Sequence, residues 1–400
     1  MKMSSKGVTG NLSRFPFVVV GSGFFGLTIA EQIASQLAVP VMVIEKREQI
    51  GGNAYSNIDQ ETGIEVHEYG SHLFHTSNEK VWEYVNRFTS FNNYVHRVKT
   101  TRKSEVFSMP VNLHTINQFL GKALSPNEAR EWLTTTTDIQ RKRIGLPALE
   151  ENNFEDKAIS LIGRPLYEAF IKGYTEKQWQ TDPKSLPEEI ISRLPVRLNY
   201  DDRYFSDTYE GLPSAGYLAW MQNMIRNPLI EVLTGTDYFD IKSQLSQEQI
   251  TIYTGPLDRY FNYSEGVLGW RTLDFEKKIV DSEDFQGTSV MNYADLEVPY
   301  TRIHEFKHLH PERKYKEGKT IIMYEFSRIA NTEDEPYYPI NSLQDRMMLD
   351  KYRELAANEP NTYFGGRLGR YQYLDMHMAI ASALQLAKEL IENYREGLFQ

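Results

Sequence analysis

Phe15-Pro16-Phe17-Val18-Val19-Val20 runs directly into Gly21-Ser22-Gly23-Phe24-Phe25-Gly26. This is a strand-like run feeding a G-x-G-x-x-G turn that opens a helix. Each glycine has a separate task. Gly21 lets the chain reverse at the strand end, Gly23 lets backbone approach a pyrophosphate, and Gly26 lets the helix pack close to the sheet. The helix N-terminus then faces the phosphates with free N–H groups and a favourable dipole. A second β-rich run, Val41-Met42-Val43-Ile44, ends in Glu45, at the distance where a carboxylate accepts from a ribose hydroxyl. Strand, helix and acid in register predict a dinucleotide site and an α/β fold.

The 400 residues imply two or three domains. A net charge of −10 argues against a general nucleic-acid partner, and an anionic ligand then needs a local arginine cluster. The chain has no cysteine, which excludes disulfides, a thiol nucleophile and thiolate metal sites, and fits a reducing cytoplasm. Lys2, Lys6 and Arg14 before the apolar run Phe15 to Ala30 loosely resemble a secretion signal. The three glycines and Glu31 fit the nucleotide-binding reading better. No segment is long and apolar enough to span a bilayer. A soluble, cytoplasmic protein without membrane insertion is expected.

Further along, Thr76 with Glu79 forms a capping-box pattern, and a sheet-like stretch runs from Tyr94-Val95-His96-Arg97-Val98 to Val106-Phe107-Ser108-Met109. From Leu113 to Trp179 the pattern is helical. Caps are predicted at Ser125-Pro126-Asn127-Glu128 and Asn153, with a break at Gly163-Arg164-Pro165. Thr181 to Pro195 reads as a long polar loop of the lid type. Strands return at Leu229 to Leu233 and Gln249 to Tyr253 and recur through residue 328. Asn361-Thr362-Tyr363-Phe364 then meets Gly365-Gly366-Arg367-Leu368-Gly369, followed by an amphipathic helix capped by Asp375. Strand–glycine turn–helix at both ends implies one discontinuous domain, residues 1–90, 208–260 and 340–400. Inserted in it are a helical domain, 112–200, with a mobile loop at 176–200, and an antiparallel-sheet substrate domain, 91–111 with 261–339.

Lys46-Arg47-Glu48-Gln49-Ile50-Gly51-Gly52-Asn53 follows the acidic residue. This Gly-Gly pair resembles the extended fingerprint of glutathione-reductase-type FAD proteins. The late Gly-Gly-Arg-Leu-Gly turn, with Asp375 and Met376 at a helix start, resembles their second FAD contact, where a helix dipole faces the isoalloxazine edge. Either glycine pair alone is equally an ordinary turn. Together they select FAD.

The segments Gly70-Ser71-His72-Leu73-Phe74-His75-Thr76, Leu113-His114-Thr115-Ile116-Asn117-Gln118-Phe119, Tyr167-Glu168-Ala169-Phe170 with Gly173 to Trp179, Leu194 to Asp202, Val298-Pro299-Tyr300-Thr301-Arg302, Pro336-Tyr337-Tyr338-Pro339 and Gly366 through Asp375 resemble those of the bacterial UDP-galactopyranose mutase family. They stand in the family's order and span nearly the whole chain from Val18. The resemblance implies interconversion of UDP-galactopyranose and UDP-galactofuranose, a ring contraction without net redox change. Reduced flavin N5 has a lone pair for the anomeric carbon as UDP leaves. A covalent flavin–sugar adduct then lets the ring open and reclose through O4, and no amino-acid nucleophile is needed.

The same resemblance assigns residues. Arg197 and Arg302 are diphosphate clamps, since a guanidinium fork matches phosphate oxygens. Tyr338 and Tyr373 donate hydroxyls, and Arg367 lies on the sugar–flavin side. Phe170, Tyr174, Thr175, Trp179 and Tyr209 form the uridine pocket, although Tyr167, Phe170 and Tyr174 also have core-helix spacing. Trp179, at the edge of the polar loop, is the aromatic expected to face ligand. His72, after Gly70-Ser71, stands where the family places a backbone contact near N5 and is counted among the catalytic residues, and Asn292 resembles another substrate contact. His96 stands where many relatives have asparagine, which leaves its substrate contact open. Cofactor contacts are expected at Gly21, Gly23, Phe24, Gly26, Glu45, Lys46, Gly52, Asn53, His72, Leu73, Gly366, Arg367, Asp375 and Met376. His67, His72 and His75 lack a clear fourth ligand, so no metal is expected. The expected assembly is a homodimer or larger homo-oligomer. Rival readings are an FAD-dependent amine oxidase or dehydrogenase, and a non-catalytic binder resembling GDP-dissociation inhibitors.

Overall fold

The structure, a computed structural model, describes residues 12–144, 153–191 and 195–399. Expectations that touch residues 1–11, or residues 192–194 of the polar loop, lie outside them. Five parallel strands form one sheet in the order Thr362–Phe364, Ile250–Tyr253, Phe17–Val20, Val41–Ile44, Ile230–Leu233. The three inner runs are buried along their whole length and almost wholly apolar, as suits a parallel sheet covered on both faces. Side chains alternate between those faces. Phe17 and Val19 join a core with the helices Phe24–Leu37 and Met376–Arg395, whereas Val18 and Val20 pack with Tyr238, Tyr253 and Tyr260. The chain leaves Phe17–Val20 towards Val41–Ile44 on one side and returns as Ile250–Tyr253 on the other. The strand order therefore reverses beside the glycine turn, where open α/β sheets bind ligands.

A second sheet has seven strands, ordered Tyr338–Pro339, Trp270–Val280, Thr320–Ile329, Arg302–Glu305, Val290–Tyr293, Val98–Arg102, Glu105–Met109. All pairs are antiparallel except Val98–Arg102 with Val290–Tyr293. Helices Leu113–Leu120, Pro126–Ile144, Phe154–Leu166 and Lys172–Trp179 gather over one end around Phe107, Ile116, Ile162, Leu166 and Phe170. The break at Gly163 is real. Its φ is +75°, and a Cβ there would come within 2.6 Å of the Thr136 methyl. Lys177 fastens helix to sheet, its Nζ donating to the carbonyls of Tyr293, Asp295, Val298 and Tyr300 at 2.7–3.0 Å.

Some local expectations are corrected. The helix Glu79–Val85 is capped by Asn78, whose side chain accepts from the Lys80 and Val81 N–H groups. Thr76 instead accepts from Asn78 N–H. The sheet begins at Val98, not Tyr94, because the chain before it pairs with the 201–206 loop, as in Tyr204 N–H to His96 C=O. Asp375 occupies the N-cap position of the last helix without capping it, its carboxylate accepting from the Tyr373 hydroxyl at 2.9 Å. The polar loop contains two short turns, Pro183–Ser185 and Glu188–Ile190.

Candidate active site

A groove of about 430 Å³ crosses the carboxyl ends of the parallel strands. Its wall includes Gly21, Gly23, Phe24, Gly26, Glu45, Lys46, Gly52, Asn53, Gly366, Arg367 and Met376. The turn is held from below. The Glu45 carboxylate accepts from the N–H and hydroxyl of Ser22 at 2.9 and 2.6 Å, and from Arg47 N–H at 2.9 Å. Glu45 thus stiffens the glycine turn as well as facing the groove. A Cβ on Gly26 would lie 2.0 Å from the Gly21 carbonyl, so helix and turn touch. A Cβ on Gly23 would meet nothing within 4 Å, leaving the open space that close approach of a pyrophosphate requires. Arg47 carries a buried Nη1 without a hydrogen-bond partner in the same wall, while its Nη2 donates to Asn53 and Glu335. An orphaned guanidinium N–H beside a glycine turn suits an anionic ligand. The residues present fit a dinucleotide cofactor.

A second, polar cavity of about 270 Å³ lies beyond the end of this groove. His72, Arg367 and Met376 line both, so they form a common wall. His72 donates from Nδ1 to the Gly70 carbonyl at 2.7 Å, because a carbonyl only accepts. Its Nε2 is therefore an acceptor, and burial pushes its pKa down to about 4. Arg367 is fixed by the carbonyls of Leu374 and Tyr337 at 2.9 and 3.3 Å. Opposite stands Arg302, paired with Glu325 at 3.2 Å and donating to the Tyr174 hydroxyl. Glu325 outweighs burial and keeps this guanidinium charged. Burial raises the Tyr174, Tyr204 and Tyr338 phenols, so they remain donors. Asn292 Oδ1 is buried there without a partner.

The second cavity gathers Phe170, Tyr174, His96, Asn292, Arg302, Tyr338, Tyr373, Arg367, His72, Leu73 and Asp375. Leu73 and Asp375, expected at the cofactor, line this cavity and not the groove, although each is next in sequence to a residue of the common wall, His72 or Met376. Four expected residues line neither cavity. Thr175 is buried inside the helical layer, and Trp179 packs against that layer's core. Tyr209 stacks on Trp82 with centroids 4.5 Å apart and donates to Glu79. Arg197 spends its guanidinium on the carbonyls of Asp201 and Arg203 and on Ser206 Oγ. The three histidines do not converge either. His67 accepts from His72 N–H, whereas His75 pairs with Asp207 at 2.7 Å. His75, Asp375 and His377 instead bring one ligand-type atom each within 4.8 Å.

Sequence reasoning missed Thr236, Asp237, Tyr238, Thr254 and Arg259 in the groove, and Tyr204, Phe205, His304 and Glu325 in the second cavity. A signal existed for the first set, because Thr254-Gly255-Pro256 follows a strand and carboxyl-end loops of a parallel sheet converge. The second set carries no local signal.

Fold and site define a Rossmann-type dinucleotide-binding enzyme with a second cavity that shares a wall with the dinucleotide groove. The sequence model for UDP-galactopyranose mutase matches residues 169–373, and that for an NAD(P)-binding Rossmann-like domain matches 19–88. A probable UDP-galactopyranose mutase of Klebsiella pneumoniae is 44% identical, covering 94% of both chains. The dTDP-fucopyranose mutase of Escherichia coli is 41% identical over 95% of this chain and 99% of its own. A crystal structure of a reduced UDP-galactopyranose mutase superposes with a TM-score of 0.71, covering 94% of this chain and 93% of that one at 15% identity. That likeness supports the fold. The chain belongs to the UDP-galactopyranose mutase family and is an isomerase. Among the described residues no helix is long and apolar enough to cross a membrane.

Proposed function

We propose that the chain interconverts UDP-galactopyranose and UDP-galactofuranose, with FAD in the groove working in its reduced form. The observation that carries the reading is the common wall of His72, Arg367 and Met376 between a dinucleotide groove and a cavity holding Arg302. Reduced flavin supplies, when bound, a nucleophilic amine for the anomeric carbon and asks no net redox of the substrate.

The protein's residues do the rest. Gly21, Gly23 and the helix Phe24–Leu37 hold the cofactor pyrophosphate, and Arg47 adds charge. Arg302, with Tyr174 and Tyr338, takes the substrate diphosphate and stabilises the charge that grows on it as the glycosidic bond breaks. Phe170 offers an aromatic face, and Asn292 Oδ1 accepts from a sugar hydroxyl. His72, neutral by burial with Nδ1 donating to Gly70, presents Nε2 as a hydrogen-bond acceptor at the common wall. Arg197, at the end of the polar loop, joins the diphosphate by exchanging its bonds to the Asp201 and Arg203 carbonyls and Ser206 Oγ for phosphate oxygens.

The test is turnover of UDP-galactofuranose by chemically reduced enzyme, with dTDP-fucopyranose run in parallel. Turnover of the UDP-sugar that requires reduction supports the reading. Preference for the deoxysugar nucleotide would reassign the substrate to that of the Escherichia coli relative. Activity confined to the oxidised enzyme would refute the mechanism. Arg302→Ala and Arg197→Ala are each expected to lose most activity while the bound flavin spectrum stays intact.

A further inference from the structure

Arg302 and His304 are two residues apart on the strand Arg302–Glu305, so both side chains point to the same face. Glu325 stands directly across from Arg302 on the neighbouring strand. Its two oxygens are divided. Oε1 faces Arg302 Nε at 3.2 Å, and Oε2 faces His304 Nε2 at 3.0 Å. The far ring nitrogen, His304 Nδ1, lies 2.7 Å from the Ser71 hydroxyl. His304 and Glu325 are 1% and 3% exposed, so water does not substitute for the bond between them, while Arg302 Nε, which makes no hydrogen bond, meets Glu325 as an ion pair.

Chemistry fixes the direction of each bond. An ionised carboxylate only accepts, so the proton sits on His304 Nε2 and is donated to Glu325. Nδ1 is then an acceptor, and the Ser71 hydroxyl donates to it. Burial holds the imidazole neutral, and Arg302 and His304 hold the Glu325 carboxyl ionised. The result is an oriented chain from Ser71, next to His72 in the common wall, to the guanidinium that faces the second cavity. Nothing in the catalytic reading above uses His304.

We infer that His304 is a positioning residue: by holding one oxygen of Glu325, it aims the other at Arg302 and so sets the guanidinium for the diphosphate. The inference rests on the reading of Arg302 as a diphosphate clamp. Without the imidazole, Glu325 Oε2 is left unpaired and only the 3.4 Å bond from the Thr301 hydroxyl holds Oε1, so the carboxylate opposite the guanidinium is less firmly aimed. Small misplacements of charged groups cost affinity steeply.

UDP binding to the FAD-loaded protein, measured by calorimetry, tests this in a double-mutant cycle. Arg302→Ala is expected to weaken UDP on the order of a hundredfold, and His304→Ala about tenfold. In the Arg302→Ala background, His304→Ala should cost less than about twofold, because the group it aims is gone. Additive losses would overturn the positioning role. If Arg302→Ala leaves UDP affinity unchanged, the clamp reading itself fails, and the positioning role falls with it. His304→Gln and His304→Asn provide a second arm with less risk to folding. Glutamine keeps a donor at the Nε2 position and should stay within about threefold of the parent. Asparagine reaches only the Nδ1 position and should resemble alanine. Equal affinities for the two would overturn the proposal. Unchanged flavin content and melting temperature mark the variants that enter the comparison.

Discussion

The backbone N–H of His72 donates to Nδ1 of His67 at 3.1 Å. A second proton cannot enter His67 without breaking that bond, and its Nε2 is already buried without a partner. Desolvation is the largest cause, and the pKa falls to about 3. His96, also buried, is lowered to about 3 by desolvation and by Arg302. In both, the unfolded chain binds a proton below about pH 6.5 that the folded chain refuses. Their contribution is therefore fully present above pH 6.5 and declines as pH falls from 6.5 towards 3. Urea unfolding should show no slope from these histidines above pH 6.5, and between about pH 6 and 4 a fall in stability approaching about 1.4 kcal/mol per pH unit for each of them. A flat profile across that window would contradict their neutral burial.

Two glycines of one turn should respond differently to alanine. At Gly26 the added Cβ meets the Gly21 carbonyl, so Gly26→Ala is expected to cost about 2–3 kcal/mol of stability and to lose cofactor. At Gly23 the Cβ enters open space. Gly23→Ala should leave stability of the cofactor-free protein within about 0.5 kcal/mol and still weaken FAD binding more than tenfold. Unchanged FAD affinity in Gly23→Ala would mean that the pyrophosphate does not pass over this residue.

Tyr209 stacks on Trp82, remote from both cavities. Tyr209→Phe removes only an exposed hydrogen bond to Glu79. The expected change in KM is less than about twofold, with a stability loss below about 1 kcal/mol. A tenfold rise in KM would restore Tyr209 to the uridine pocket.

Lys177 serves four carbonyls with three protons, so at least one bond is shared. Lys177→Met would strand the 293–300 carbonyls against the last turn of the helix Lys172–Trp179. A loss of about 2–4 kcal/mol is expected in denaturant unfolding. Activity should fall as well, because the same turn positions Arg302 and Asn292 at its two ends.

Much of the groove over the parallel sheet is legible in the sequence. Strand Phe17–Val20, the three glycines, Glu45, Gly52 and the late turn at Gly366 each carry a local backbone requirement, and such requirements survive in one dimension. The helical caps at Ser125 and Asn153 held for the same reason. Thr76 was misread because Asn78, two residues on, offers a better-placed oxygen. Tyr209 and Trp179 line neither cavity, and the sequence does not distinguish them from pocket residues because an aromatic residue looks alike in a core and in a pocket.

From the sequence alone came the dinucleotide turn, the alternation of strand and helix at both ends, and the family pattern. These depend on neighbours within about twenty residues. Only the tertiary structure brought Arg302, His304 and Glu325 to one carboxylate, set Ser71 against that imidazole, and placed His72 and Arg367 between two cavities. Sheet pairing joins segments from distant parts of the chain, and the cross-strand register that aligns them leaves no periodic trace in the sequence.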